Sequence, residues 1–416
     1  VDFLSIYISK IFKISCRFYD QIIQLPKIIK IRNWYKIELE FNSLDKTLAL
    51  KQTDIKNSSL EFKQKININK IPKFVTGKVF ISAEMAEKNV SNFFNGKIEN
   101  PSILIAEKKD VFKTLVRWDF SKSIPSSVIS DLSKNKINLN IINFPTRGVT
   151  GSKWDGSEMS WKHCPDHYTA IHFHEDDIYD FEWKTDFEFK VPKEMPSGIF
   201  VMRLVCGKYE DNIPFFVCPP KNKNTSDLCV IIPTFTYSVY GNHARPDYKE
   251  SWQEKIKLWK AYPYNPAEFK SYGLSTYNFH TDGSGICHAS YLRPLLNLKV
   301  GYLTFGMSNC SGLRHFQADS HLISWLNNQK IEFDILTDEE VHNEKNEVLK
   351  NYKTVMTTTH PEYHTKETLN SYQKYTDEGG NLIYLGGNGF YWKVCLHDEN
   401  DKIIEIRRAE DGIRAW

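Results

Sequence analysis

Residues 228–240 read Leu-Cys-Val-Ile-Ile-Pro-Thr-Phe-Thr-Tyr-Ser-Val-Tyr. Five consecutive apolar residues closed by Pro233 have the length of a strand buried on both faces, the kind that parallel sheets use. Downstream the period changes repeatedly. The pattern predicts a helix over 313–329, a strand over 331–336, a charged helix over 338–349, a strand over 353–357, a helix over 364–378 and a strand over 381–385. Thr337-Asp338 offers a helix start, and Gly379-Gly380 a helix stop. Such alternation means a parallel sheet with covering helices, a three-layer α/β domain. In an open α/β sheet, ligands bind beyond the carboxyl ends of the strands. Three segments follow strands here: 234–240, His360-Pro-Glu-Tyr363 and Gly386-Gly-Asn-Gly389. They converge on one place, which has the character of an active site.

Upstream, residues 34–217 carry short alternating runs separated by Asn, Lys, Gly and Pro, with strands expected at 78–84, 112–120, 137–142, 168–173, 187–191 and 199–205. Long helical periods are missing, so an all-β sandwich is the economical reading. The boundaries expected are an N-terminal segment over 1–33, a sandwich over 34–160, a small β domain over 161–220 and an α/β domain over 225–416. The stretch 237–311, dense in Tyr, Trp, His, Asn and Pro, interrupts the α/β pattern after its first strand. A connection of that length is usually functional or disordered, and its aromatic content favours the wall of a pocket.

A chain of 416 residues suggests two or three domains. Its 54 basic and 51 acidic residues nearly cancel, leaving +3 without any Lys/Arg block, so nucleic acid is a poor partner. Eight cysteines without C-x-x-C pairs favour reduced thiols and a cytoplasmic location. Lys10, Lys13, Arg17 and Asp20 interrupt the apolar opening, so residues 1–25 do not read as a membrane anchor. The missing initiator Met and the ending at Ala415-Trp416 suggest a fragment.

Tyrosines 237, 240, 264, 272 and 277 exceed what packing demands, although any one alone reads as an ordinary loop residue. Phenolate oxygen is a hard ligand suited to a cation such as ferric iron, and two phenolates with Glu362 would make an all-oxygen site. Pro361 holds His360 and Glu362 in defined directions, with an acidic first helical turn as the competing explanation of Glu362. Asn388 could donate to a developing oxyanion, or belong to a simple glycine turn. His280 and Asp282 could support a metal ligand, or belong to a turn. His172 and His174 share a strand face as a possible divalent site, with a solvated strand end favoured. Cys287 and Cys310, near His288 and His315, are weak candidates for a catalytic thiol.

These motifs resemble the large subunit of N,N-dimethylformamidase and its relatives. The similarity rests on 233–240, on Tyr272-Gly-Leu-Ser-Thr-Tyr-Asn, His280-Thr-Asp-Gly-Ser-Gly, Ser311-Gly-Leu-Arg-His-Phe, His360-Pro-Glu-Tyr and Leu385-Gly-Gly-Asn-Gly-Phe, and on earlier segments beginning at Phe144, Ile171 and Asn212. The resemblance implies a laminin-G-like jelly roll, a small immunoglobulin-like sandwich and a C-terminal domain like the class I glutamine amidotransferases without their cysteine. It implies amide hydrolysis of small N-substituted formamides at one mononuclear Fe(III) held by Glu362, Tyr277 and a second tyrosine. Tyr237 is the first choice for that second ligand and Tyr240 the reserve, with His360 and Asn388 beside the metal. A short second subunit in a hetero-oligomer is implied too. The family's large subunit continues past the point matching Trp416 and there supplies another active-site glutamate, which has no counterpart here. Competing readings are a carbohydrate-binding or scaffolding protein, and a hydrolase of some other amide.

Overall fold

The structure, a computed structural model, describes residues 4–71, 77–86, 89–108, 111–221 and 223–407. Four parallel strands lie in the order Asp334–Thr337, Leu228–Ile232, Thr354–Thr357 and Asn381–Ile383. Because side chains alternate across a strand, Val230 and Ile232 face Phe316, Ile323 and Leu326 of the helix Phe316–Asn328. Cys229 and Ile231 face the opposite way, onto Val341, Leu349, Tyr372 and Tyr375. Helices therefore cover both faces, as the continuous apolar run requires. Removing each such side chain from water is worth roughly 1.5–3 kcal/mol.

Local signals set the helix ends. The Thr337 N–H donates to the Glu340 carboxylate at 3.0 Å, and the Thr365 hydroxyl accepts from the Thr368 N–H at 3.2 Å. The helix expected over 338–349 is instead two, Asp338–Glu344 and Asn346–Leu349, split at Lys345 with φ 58° and ψ −144°. The long insertion is more than a wall. It contains the helix Glu250–Trp259 and the strand His288–Ser290, which pairs with Asn400–Glu405 in a three-stranded antiparallel sheet completed by Cys395–His397.

The N-terminal half is built of small antiparallel sheets. Residues 1–33 include a meander, Leu4–Ile8, Lys13–Phe18 and Gln21–Ile28, and a second meander joins Tyr35–Asn42, Thr47–Asp54 and Glu61–Asn67. Their apolar faces meet: Ile14, Cys16, Phe18, Ile23 and Leu25 pack with Leu48, Leu50 and Ile68. A further sheet orders Thr146–Val149, Ala170–Phe173 and Gly96–Glu99 near a core of Trp118, Phe120, Ile129 and Ile171. The expected strand at 199–205 is one arm of the hairpin Gly198–Cys206 and Tyr209–Val217.

Two expected strands do not form. Residues 78–83 are not extended into a ladder, because Ser82 takes φ 74° and turns the chain, and a short strand begins only at Glu84. Residues 187–191 have the alternation of a strand but no partner strand among the described residues, leaving Phe187, Phe189 and Val191 exposed. Among the described residues, no helix is long and apolar enough to cross a membrane.

Lys345 sits near a backbone region that only glycine occupies readily, at a cost of order 1–3 kcal/mol. Lys345→Gly is expected to stabilise the protein by about 1 kcal/mol, read as a higher urea midpoint at unchanged slope.

Candidate functional site

Glu362 is 1 % exposed and lies between the strand Thr354–Thr357 and the two-residue strand Tyr363–His364. Its backbone is pinned by the helix Thr234–Val239: the Thr236 hydroxyl accepts from the N–H groups of Glu362 at 3.2 Å and Tyr363 at 3.3 Å. The same helix ends at Tyr240, whose hydroxyl donates to Glu362 Oε2 at 2.7 Å. Tyr277 donates to Glu362 Oε1 at 3.3 Å. The two phenol rings stack, with centroids 4.2 Å apart and planes 12° from parallel, so one carboxylate gathers two phenols side by side. Tyr277 also shares a hydrogen bond with the hydroxyl of buried Tyr363.

His360 Nε2 is 2.9 Å from Glu362 Oε2 and 3.0 Å from Arg314 Nη2. Protonated, that nitrogen can donate to the carboxylate; deprotonated, it can accept from the guanidinium. Arg314 also reaches the Tyr240 oxygen at 3.3 Å and lies 4.6 Å above the Tyr240 ring. Gly387 closes the other side of His360. A Cβ there would come within 2.3 Å of His360 Nδ1, and φ is +72°, so only glycine allows this approach.

Burial alone would raise the pKa of Glu362, but hydrogen bonds from His360 and Tyr240 overcome it and hold the carboxyl below its ordinary value. The Tyr240 phenol is pushed well up by burial, with Tyr277 and Glu362 adding to the shift and Arg314 opposing it. His315 packs on Tyr240 with ring centroids 4.4 Å apart, and its backbone is held at φ 53°, ψ −126°. Burial and then Arg314 keep His315 neutral to well below its usual value. His243 is brought down to about 4 by burial, then by Arg245 and Arg314.

Of the residues singled out in the sequence, the fold brings together Glu362, Tyr240, Tyr277 and His360. Tyr237 goes elsewhere: it packs with Val230, Ile232 and Phe316, and its hydroxyl donates to Asp319 at 2.5 Å. The reserve tyrosine, not the first choice, meets the carboxylate. Asn388 is exposed on the turn that carries Gly387. His280 and Asp282 bond instead to Asp176 and His172. Cys310 contacts Lys255 and the Met307 carbonyl, and Cys287 the Gly285 carbonyl. Sequence reasoning gave no role to Arg314, Tyr363 and His243. Arg314 and His315 stand inside the 311–316 motif, which was the available signal.

A buried phenol–carboxylate–imidazole cluster beside a parallel sheet is the oxygen-rich candidate site of this chain. Residues 146–416 match the family described as "N,N-dimethylformamidase beta subunit-like, C-terminal". The chain is 31 % identical over 423 residues to the N,N-dimethylformamidase beta subunit of Paracoccus aminophilus, covering 92 % of this chain and 55 % of that protein. It is 35 % identical over 345 residues to the beta subunit from Alcaligenes sp, covering 78 % and 45 % respectively. The chain belongs to the N,N-dimethylformamidase beta subunit-like family and spans about half the length of these relatives.

The depressed histidines predict a pH response. His243, His288 and His364 each sit at about 4, against roughly 6.5 when unfolded. Between those values the unfolded chain binds protons that the folded chain refuses, so their contribution is fully present above pH 6.5 and is lost as pH falls through about 4. Urea midpoints are expected to drop from pH 7.5 to pH 5, and His243→Gln is expected to shallow that drop.

Proposed function

We propose that this chain carries the metal centre of an iron-dependent amidohydrolase, with Tyr240, Tyr277 and Glu362 holding one Fe(III). The observation that carries this is the convergence of two stacked phenols on the two oxygens of one buried carboxylate. The donor set suits a hard trivalent cation: three anionic oxygens would balance its charge, and Arg314 beside the Tyr240 oxygen favours the phenolate. Such an ion supplies Lewis acidity toward an amide carbonyl and toward water.

The chain's own groups do the rest. His360 Nε2, poised between Glu362 and Arg314, holds or releases a proton according to which neighbour it faces. Gly387 keeps that imidazole in place. On the same turn, Asn388 is the group this reading assigns to donate its amide to the oxygen of a tetrahedral intermediate. The aromatic lining of Tyr240, Tyr277, Tyr363 and His315 excludes water and suits a small, weakly polar amide.

The named activity of the relatives points to a small N-substituted formamide, cleaved at its C–N bond to an amine and formate. N,N-Dimethylformamide, yielding dimethylamine, is the first substrate to try. Because those relatives are named as beta subunits, a small second chain in a hetero-oligomer belongs to the same proposal. The fold proposal completes it: facing antiparallel sheets as a laminin-G-like sandwich, the 198–217 hairpin as part of a small immunoglobulin-like unit, and the parallel sheet as a glutamine-amidotransferase-like domain.

Glu362→Gln is expected to abolish both bound iron and formamide hydrolysis while the fold persists by circular dichroism; turnover retained without iron would refute the proposal. Gly387→Ala should leave iron bound yet lower kcat by about 10²-fold, since a displacement of the imidazole near 1 Å is enough.

A further inference from the structure

The strand Ala170–Phe173 and the turn 280–285 meet in a second cluster that shares no residue with the first. His172 Nε2 lies 2.8 Å from Asp282 Oδ2, and His174 Nε2 lies 3.8 Å from the same oxygen and 2.9 Å from Ser284 Oγ. We propose that His172, His174 and Asp282 bind a divalent transition-metal ion of the zinc class.

Two observations carry this. Donors on a tetrahedral zinc with bonds of about 2.0–2.1 Å stand about 3.3 Å apart; the two imidazole–carboxylate separations fall on either side of that value, and all three donor atoms lie within 4.8 Å of one another. His174 turns its other nitrogen to Asp177 Oδ2 at 3.3 Å, and Asp177 is itself fixed by the Tyr179 hydroxyl at 2.8 Å. A carboxylate behind an imidazole, itself anchored, is the arrangement that orients histidine ligands toward a metal. The fourth position falls to Ser284 or to water, because Asp282 remains partly open to solvent.

A neighbouring set, His174, Asp177 and His280, is the weaker choice. The rings of His174 and His280 are 3.6 Å apart and 6° from parallel, so no ion can lie in both ring planes. His280 instead donates from Nδ1 to Asp176 Oδ1, 2.7 Å away, while its buried Nε2 has no hydrogen-bond partner among the described residues and stands 3.7 Å from Asp177. Its ring serves as a platform under His174.

The ion would tie the strand Ala170–Phe173 to the 280–285 turn through Asp282, five residues beyond Tyr277, and so fix the loop that delivers that phenol. Its protein ligands are two imidazoles and one carboxylate, with the remaining position left to Ser284 or water.

The test uses the full chain, stripped with chelator, loaded with Zn²⁺ and dialysed, with metals counted by mass spectrometry. Wild type and Glu362→Gln are expected to retain one zinc per chain, and Asp282→Asn and His174→Ala less than a tenth of that. Co²⁺ in place of zinc should give the intense visible bands of a tetrahedral site in wild type and none in Asp282→Asn. If His174→Ala fails to fold, Asp282→Asn decides, because its carboxylate is partly exposed. A wild-type chain that retains no zinc, or an Asp282→Asn chain that retains it fully, overturns the proposal.

Discussion

A carboxylate kept ionised while almost fully buried is the constraint on which the centre depends. Glu362 loses its water and regains hydrogen bonds from Tyr240, Tyr277 and His360, each delivered by a different part of the chain. Leaving such a charge unpaired in the interior would cost several kcal/mol, so the surrounding structure is organised to satisfy it. The Thr234–Val239 helix brings Tyr240 and clamps the Glu362 backbone through Thr236. The insertion brings Tyr277. The strand end brings His360, and the glycine turn holds it there.

The insertion is where the architecture commits itself to a site. Asn242 fastens its ends together, donating to the Gly273 carbonyl at 3.1 Å and to the Pro294 carbonyl at 2.7 Å, and accepting from the Leu296 N–H at 2.9 Å. The strand His288–Ser290 then enters a sheet with the last described strand. A connection that would cost entropy as a free loop is thereby ordered, and Tyr277 becomes a rigidly placed ligand candidate. Backbone strain collects nearby at His315, where buried packing against Tyr240 overrides the preference for negative φ.

The parallel sheet was legible in the sequence because a strand buried on both faces has a pattern few other elements share. Leu228–Ile232 and its helices follow from it. The residues on strand ends were legible for the same reason: topology sends them to one crevice. The choice between Tyr237 and Tyr240 was not, since three residues of a short helix decide it and both face apolar neighbours. Phe187-x-Phe189-x-Val191 shows the opposite failure, in which perfect alternation finds no partner strand. Tyr363 and Arg314 act through contacts across more than thirty residues of chain, which no local pattern encodes.

The most direct measurement is the visible absorption of the ferric-loaded full chain, because phenolate bound to Fe(III) gives an intense charge-transfer band. That band is expected in wild type and in Tyr237→Phe, and is expected to weaken or vanish in both Tyr240→Phe and Tyr277→Phe. A band that survives Tyr240→Phe unchanged and vanishes in Tyr237→Phe would contradict that expectation.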